Sequence, residues 1–160
     1  MERAIFKLIY PNDEQNVRLR NWFAERMGGA PELYQQLLAI MRDEELVGAV
    51  AFFSYRHPSI EMGLFCVDPA WSLHRRLIVE VMTYPFDQLG CERITALVSD
   101  KNTRLQRLLE IIGFEREGTV RRGAEDGSDI GLYGILKRDW LCLSQREPNT
   151  SGTMRQAITS

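Results

Sequence analysis

The chain has 160 residues, of which 44% are hydrophobic and 26% charged, a balance typical of one soluble globular domain. Its formal net charge of −2 and isoelectric point near 5.8 create no overall positive field for nucleic acid or anionic membranes. No apolar segment approaches membrane-spanning length, and the first ten residues, MERAIFKLIY, lack the apolar run of a signal peptide. We therefore expect a cytoplasmic protein that uses no membrane.

The cysteines and histidines favour neither disulfides nor a metal site. Cys66, Cys91 and Cys142 are widely spaced and odd in number, which favours free thiols in a reducing compartment. The two histidines, His57 and His74, have no carboxylates at a spacing that would complete a metal-binding set. We expect no metal.

The chain begins with a predicted strand and helix. Residues 4–10, AIFKLIY, are typical of a strand, and Pro-Asn-Asp closes it with a turn. Asp13 is the expected cap of a helix over 14–27, which a Gly-Gly pair ends. Residues 31–36, PELYQQ, predict an additional turn of helix.

Three strands are predicted next. Residues 37–43 and 45–55 are β-rich and form a predicted hairpin across Asp-Glu-Glu. Residues 59–67, SIEMGLFCV, alternate, so Glu61 lies on the face opposite Ile60 and Met62.

Helices and strands alternate through the second half. Apolar residues at helical spacing predict a helix from Leu73 to Tyr84, which the following proline limits. Residues 91–98 predict a strand, followed by an amphipathic helix that Gly113 ends. Two last strands, FEREGTVRR and IGLYGILKRDW, flank the polar turn GAEDGSD.

The order of elements predicts a mixed α/β or α+β domain built on one sheet. We assign residues 1–143 to this domain. Residues 144–160 are polar, rich in small residues and without periodicity, so we expect a disordered tail.

Three segments carry a family resemblance: IEMGLFCVDPAW, YPFDQLGCERITALVSDKNTRLQRLLEIIGFEREGTVRRG and DIGLYGILKRDW. They resemble the GCN5-related N-acetyltransferase (GNAT) superfamily, and within it small acetyltransferase-like proteins of phages and prophages. Asn102, followed by the amphipathic helix and GFEREG, is the most specific marker. The resemblance implies a mostly antiparallel sheet flanked by helices, with splayed central strands.

The resemblance also implies acetyl-coenzyme A as acyl donor, bound between the strands 59–67 and 91–98. Backbone groups near Phe65, Cys66 and Val67 would pair with the pantetheine arm. The pyrophosphate would lie on the N-terminus of the next helix, where backbone amides have no helical partner. Asn102 would fix the turn before the following helix and touch the pantetheine.

The pyrophosphate turn departs from the family pattern because it contains no glycine. In its place, Ser72 is expected to cap the helix, and Arg75 or Arg76 to supply positive charge. The alternative is a capped helix with two solvated arginines. The whole set assigned to the cofactor here is Ser72, Leu73, His74, Arg75 and Arg76. Arg104 and Arg107, one helical turn apart, either reach coenzyme phosphates or form an exposed helix face.

The catalytic assignments are Glu61, Ser99 and Tyr133. Many family members use a tyrosine as general acid at the position that Leu109 occupies here. Glu61 is the candidate general base, acting through a water, although a solvent-facing glutamate is the alternative. Ser99 is placed to donate to the thioester, and Tyr133 is a weaker candidate acid.

These assignments predict an acetyl-coenzyme A-dependent N-acetyltransferase. The acceptor would be a primary amine on a small molecule, a protein or a modified base. One alternative is a catalytically impaired protein that binds coenzyme A weakly or acts through protein interaction. Another is a phage enzyme that acylates nucleobases, although the acidic isoelectric point disfavours nucleic acid. A homodimer is common among such proteins.

Overall fold

The structure, a computed structural model, describes residues 3–144, with side chains up to Trp140. The predicted tail therefore lies, from residue 145 onward, outside the described residues. The helices and strands, in chain order, are β1 (Phe6–Ile9), α1 (Asp13–Met27), β2 (Tyr34–Arg42), β3 (Glu45–Arg56), β4 (Ser59–Cys66), α2 (Arg75–Thr83), β5 (Arg93–Ser99), α3 (Thr103–Ile112), β6 (Glu115–Val120), β7 (Ile130–Leu136) and α4 (Lys137–Ser144).

Helix α1 begins one residue earlier than the sequence predicted. Asn12, not Asp13, is the N-cap: its Oδ1 accepts from the Gln15 amide at 2.9 Å, and the Gln15 side chain accepts from the Asn12 amide at 3.0 Å. This reciprocal pair satisfies two amides at once, whereas Asp13 as a cap has no such partner.

The segment predicted as a further turn of helix, residues 31–36, is half 3-10 turn and half strand. Only Pro31–Leu33 form a 3-10 turn, and β2 begins at Tyr34. The Tyr34 ring packs edge-on against Phe23 and Phe53, with ring centroids 4.8 and 5.4 Å apart. Burial of this ring between helix and sheet outweighs the local helical preference.

Seven strands form one sheet in the order β1-β2-β3-β4-β5-β7-β6. All neighbours are antiparallel except β4 and β5, which confirms the predicted single, mostly antiparallel sheet. The predicted hairpin between β2 and β3 is also confirmed, since Arg42 pairs with Glu45.

Strands β4 and β5 run parallel only from Ser59 to Met62 and from Arg93 to Ala96. Beyond those pairs β4 continues to Cys66 and β5 to Ser99, and the two strands no longer pair. The predicted divergence of the central strands is confirmed, and it leaves a gap inside the sheet.

Helices cover the two faces of the sheet unequally. Apolar side chains of α2 and α3 pack with alternate residues of β4, β5 and β7 in the larger core. Helix α1 packs on the opposite face against β2 and β3, in a smaller core around Phe23 and Leu37. Met62 belongs to the larger core and Phe65 packs against the smaller one, as the alternation along β4 requires.

The last predicted strand is too long, because β7 ends at Leu136 and Lys137 starts α4. Leu136 pairs with Arg93, the first residue of β5, so the ladder ends there. The chain then turns into a helix, which buries the Trp140 side chain in the larger core.

The helix predicted from residue 73 is divided. A 3-10 turn spans Pro69–Leu73 before α2 begins at Arg75. After α2, Tyr84–Gln88 form one wide π-type turn containing Pro85, which lacks an amide hydrogen.

Candidate active site at the divergence of two strands

A cavity of about 290 Å³ lies where β4 and β5 separate. Residues from both strands form its sides, and α1, α3 and the turn after β4 complete it. The described residues that line it are Met27, Leu64, Phe65, Cys66, Pro69, Trp71, Ser72, Leu97, Val98, Ser99, Asn102, Arg104, Leu105 and Leu108. The cavity brings together six of the predicted site residues: Phe65, Cys66, Ser72, Ser99, Asn102 and Arg104.

The edge of β4 toward the cavity has backbone groups with no strand beside them. The Val67 amide donates to the Val47 carbonyl on β3 at 2.9 Å. Because backbone groups alternate along an antiparallel strand, those of Leu64 and Cys66 point the other way, into the gap. Of the three residues predicted to offer backbone groups, only Cys66 therefore does so.

Phe65 and Val67, the other two residues predicted to offer backbone groups to the pantetheine arm, do not direct those groups into the gap. Phe65 lines the cavity, and its ring contacts the Trp22 ring, with centroids 5.7 Å apart. Val67 is 67% exposed, and its amide already donates to the Val47 carbonyl on β3.

The prediction that Ser72 caps α2 is wrong. Ser72 lies within the 3-10 turn, where its buried hydroxyl donates to the Pro69 carbonyl at 2.7 Å. The N-cap of α2 is His74, whose side chain makes no capping hydrogen bond. Asp68 instead caps the 3-10 turn, since its carboxylate accepts from the Ala70 amide at 3.0 Å.

The 3-10 turn separates the start of α2 from the cavity. Trp71, 3% exposed, and Ser72 line the cavity, whereas the described lining does not include Leu73, His74, Arg75 or Arg76. Leu73, His74 and Arg76 are exposed, and Arg75 is half-buried. The five-residue turn occupies the place predicted for a glycine-rich loop.

Asn102 connects the cavity wall to α3. Its side-chain oxygen accepts from the Leu105 amide at 3.2 Å, and its own amide donates to the Ser99 carbonyl at 2.9 Å. Gln106 donates to the same Ser99 carbonyl at 3.0 Å. The predicted role of Asn102 in fixing this turn is confirmed, and it also lines the cavity.

The two arginines of α3 differ in position. Arg104 lines the cavity and is otherwise exposed, so it provides a positive charge at the opening. Arg107 is exposed, and the described lining does not include it.

The Ser99 hydroxyl is engaged by the loop between β6 and β7. Its Oγ lies 3.3 Å from the Ser128 Oγ, and Ser128 donates its hydroxyl proton to the Asp126 carboxylate at 2.6 Å. Because a serine has one hydroxyl proton, Ser99 is the donor to Ser128. Hydrogen bonds from Ser128 and Lys101 also hold the pKa of Asp126 well below its usual range. In this arrangement Ser99 does not direct its proton into the cavity.

Glu61 and Tyr133 do not line the cavity. Glu61 is half-buried on the α1 face of β4, in register with Thr95 and one residue before the strands separate. Tyr133, 1% exposed, lies on the opposite face with the Arg116 guanidinium 5.9 Å from its ring centre. The structure therefore does not bring Tyr133 to the thioester position.

Sequence reasoning missed several apolar lining residues, chiefly Met27, Leu97 and Leu108. Met27 ends α1 and gives no local signal of its role, because a 3-10 turn and the two strands β2 and β3 separate it in sequence from β4. Leu109, the predicted counterpart of the family's tyrosine, is 2% exposed and packs in the core, while Leu105 and Leu108 line the cavity.

Burial affects the thiol that lines the cavity. Cys66 donates to the Asp68 carbonyl at 3.0 Å, and burial raises its pKa to about 11. Cys66 and Cys91 are free thiols, and Cys142 lies beyond the described side chains. Residues 3–140 contain no cluster of three His, Cys, Asp or Glu side chains that could hold a metal. None of the described helices is long and apolar enough to cross a membrane.

Known proteins resemble this chain in sequence or in fold. YoaA from Bacillus subtilis (strain 168), an uncharacterized N-acetyltransferase, is 32% identical over 101 residues, which cover 59% of this chain and 57% of YoaA. The match thus spans little more than half of that relative. A crystal structure of an acetyltransferase from T. thermophilus is 27% identical, with a TM-score of 0.59, over 68% of this chain and 62% of that one.

A dodecameric spermidine N-acetyltransferase from Vibrio cholerae has the same fold. Its TM-score is 0.70 at 18% identity, over 88% of this chain and 98% of that one. The sequence model of the family described as an acetyltransferase (GNAT) domain matches residues 2–115, which include β4, β5 and α3. With this match over more than two thirds of its length, and with the diverging strands inside it, the chain belongs to the GNAT acetyltransferase family.

Proposed function

We propose that this protein is an N-acetyltransferase that uses acetyl-coenzyme A and acetylates a primary amine. The observation that carries the proposal is the gap between β4 and β5, with a cavity of about 290 Å³ beside an unpaired strand edge. An extended, amide-containing arm matches such an edge, because it offers donors and acceptors to the backbone groups of Leu64 and Cys66. Family membership supports the same cofactor.

The residues present fit the cofactor in three places. The backbone groups of Leu64 and Cys66 would hold the pantetheine arm, with Asn102 on the opposite side. Arg104 at the cavity opening would bind phosphate, because guanidinium groups form strong charge-assisted hydrogen bonds with it. Trp71 and Ser72 close the cavity at the position where the family places a glycine-rich turn.

Acetyl transfer needs a neutral amine as the nucleophile, and Glu61 is the base that would remove the proton from the protonated amine. When bound, acetyl-coenzyme A provides a thioester whose leaving thiolate has an ordinary pKa near 8.5, so a general acid is dispensable. Glu61 lies one residue before the divergence, on the face that α1 only partly covers, where it would take the amine proton through a water. Ser99, whose proton is directed to Ser128, is better suited to accept than to donate.

The test begins with binding. Acetyl-coenzyme A or coenzyme A at 1 mM is expected to raise the melting temperature by about 5 °C, since a ligand that binds only the folded state stabilises it. Arg104→Ala is expected to reduce that shift, and Arg138→Ala, which removes an exposed arginine of α4, is the matched control. Thiol release with a panel of amines, spermidine included, then tests transfer. Absence of any shift contradicts the proposal.

A second candidate function, favoured by the glycine-free turn and by Leu109 in the acid position, is cofactor binding without transfer. A thermal shift with no thiol release for any amine or peptide supports it. Nucleobase acylation and the phage resemblance stay predictions. The cytoplasmic location and the homodimer also stay predictions. Light scattering of the purified protein, which measures its mass in solution, tests the homodimer.

A further inference from the structure

We infer that the donor site holds the phosphopantetheine part of the cofactor and contributes little to binding the adenylate. Thioesters of 4′-phosphopantetheine that lack the adenylate are then accepted nearly as well as those of coenzyme A. This inference rests on the proposed function, because it names the class of acyl donor for the same cavity. It depends on which charges and hydrogen-bond donors surround the gap between β4 and β5.

The cavity can balance the charge of one phosphate. Of the described residues that line it, only Arg104 is charged. Because this guanidinium lies at the opening and is otherwise exposed, it can pair with a phosphate at the end of the pantetheine arm. Coenzyme A carries two further phosphates, in its diphosphate and on its ribose. Donors for these would have to come from the turn after β4 or from the start of α2.

The first donors of the turn after β4 are used by the chain itself. Pro69 has no amide hydrogen, and the Ala70 amide donates to the Asp68 carboxylate at 3.0 Å. The other carboxylate oxygen of Asp68 pairs with Arg42 at 3.2 Å, so this cap is held from two sides. A carboxylate of the protein therefore occupies the place at which a phosphate would meet these amides.

The rest of the turn is shaped by burial. None of residues 67–77, all of them described, has a positive φ, so the backbone lacks the alternation of right- and left-handed residues that makes neighbouring amides converge on an anion. The Ser72 hydroxyl donates to the Pro69 carbonyl at 2.7 Å, and the His74 amide donates to the Trp71 carbonyl at 3.1 Å. These donors are satisfied within the turn, while Trp71 packs in the larger core.

The start of α2 does not replace the turn as a phosphate site. The ring of His74, the N-cap, packs against Phe6 of β1 with ring centroids 5.3 Å apart. Strands β2 and β3 separate β1 from β4, so this contact holds the first turn of α2 toward the far edge of the sheet. In agreement, the described lining of the cavity includes neither Arg75 nor Arg76.

The inner cavity, in contrast, suits the uncharged pantetheine arm. The backbone groups of Leu64 and Cys66 point into the gap. The side-chain oxygen of Asn102 accepts from the Leu105 amide, which leaves its nitrogen to donate to an amide oxygen of the arm. Affinity therefore comes from the arm and from one phosphate.

The experiment is calorimetric binding of coenzyme A, 4′-phosphopantetheine and pantetheine to the full chain. The dissociation constants of coenzyme A and phosphopantetheine are expected to lie within about threefold of each other, since they differ only beyond the first phosphate. Pantetheine is expected to bind about fivefold more weakly than phosphopantetheine, as for the loss of one partly exposed ion pair.

Two arginine variants separate the possible phosphate sites. Arg104→Ala is expected to weaken binding of coenzyme A and phosphopantetheine alike, by about fivefold, and to leave that of pantetheine the same. Arg138→Ala, at an exposed position of α4, is the matched control. Arg76→Ala removes an exposed charge at the start of α2 and is expected to leave the ratio of the two affinities unchanged.

A coenzyme A affinity more than about tenfold above that of phosphopantetheine overturns the inference, because that ratio corresponds to a charge-assisted hydrogen bond beyond the first phosphate. A loss in Arg76→Ala that affects coenzyme A alone also overturns it, as does pantetheine binding as tight as that of phosphopantetheine. These results leave the proposed function in place, whereas binding of none of the three compounds contradicts both.

Discussion

The side chains of Glu61 and Tyr133 show how a strand distributes its residues between two faces. Glu61 lies on the α1 face in register with Thr95, and Tyr133 lies on the other face in register with Ala96. A shift of one residue in either strand would exchange these environments. A proton carrier for an amine that enters beside α1 must lie on the α1 face, which Glu61 satisfies and Tyr133 does not.

Glu61→Gln is expected to lower kcat about 100-fold at neutral pH, because an amide cannot accept the amine proton. The KM for acetyl-coenzyme A is expected to stay the same, since Glu61 does not line the cavity. Steady-state thiol release with a saturating amine measures both constants. An unchanged kcat excludes Glu61 as the base.

Cys66 is expected to be a slow nucleophile despite lining a cavity. Burial raises its pKa to about 11, so below that pH the thiol stays protonated, and at pH 8 alkylation should be roughly 100-fold slower than in the unfolded chain. Mass spectrometry of the Cys66 peptide after timed iodoacetamide treatment, from pH 7 to 11, follows the rate. A plateau near pH 9 contradicts the raised pKa.

At the scale of elements, the sequence predicted correctly the bounds of a helix whose ends have recognisable capping residues. Helix α3 has Asn102 as its N-cap and Gly113 as its C-cap, both identifiable from the sequence, and Gly113 has the positive φ of 120° that favours glycine at such an end. The start of α4 at Lys137 has no such capping residue and depends on the packing of Trp140 in the larger core. The 3-10 turn Pro69–Leu73 is capped by Asp68, and it also buries Trp71. The spacing of apolar residues in the sequence does not indicate which distant residues a tryptophan packs against.

The cavity was predictable only in part for the same reason. Residues of β4, β5 and the Asn102 turn follow from the family's motifs, which are contiguous in sequence. Met27 reaches the site from α1, which β2 and β3 separate in sequence from β4.

The close approach of β3 and β4 predicts that Gly48→Ala destabilises the protein. A Cβ at Gly48 would lie 2.5 Å from the Phe65 carbonyl oxygen and 2.7 Å from the Cys66 Cβ, so strand backbone must move. We expect a loss of about 1–3 kcal/mol in the free energy of unfolding, measured with urea. The control is Gly118→Ala, where the new Cβ would meet only the Leu132 Cδ2, at 3.9 Å. Equal effects of the two substitutions would contradict this explanation.

For the whole molecule, the sheet consists of two antiparallel parts joined by four pairs between β4 and β5. The first part, β1 to β4, follows chain order, and the second holds β5, β7 and β6. Because the cavity lies at this junction, a ligand there contacts both parts and adds to the few hydrogen bonds that join them.

Acetyl-coenzyme A is therefore expected to slow amide hydrogen exchange at Leu64 and Cys66 and through residues 97–102. Exchange in β1 and β2, which lie beyond β3 from the junction, should stay the same. Exchange mass spectrometry with and without 1 mM cofactor measures both regions. A melting-temperature shift without protection at β4 would place the ligand elsewhere.

The position of β7 sets how short the folding unit can be. The family match ends at residue 115, yet β7 lies between β5 and β6 and contributes Tyr133 and Ile135 to the larger core. A chain cut at residue 115 would lose an interior strand and expose the full length of β5. We propose that the autonomous unit is residues 1–143. Expression of 1–143 is expected to yield cooperative unfolding, whereas 1–115 is expected to aggregate.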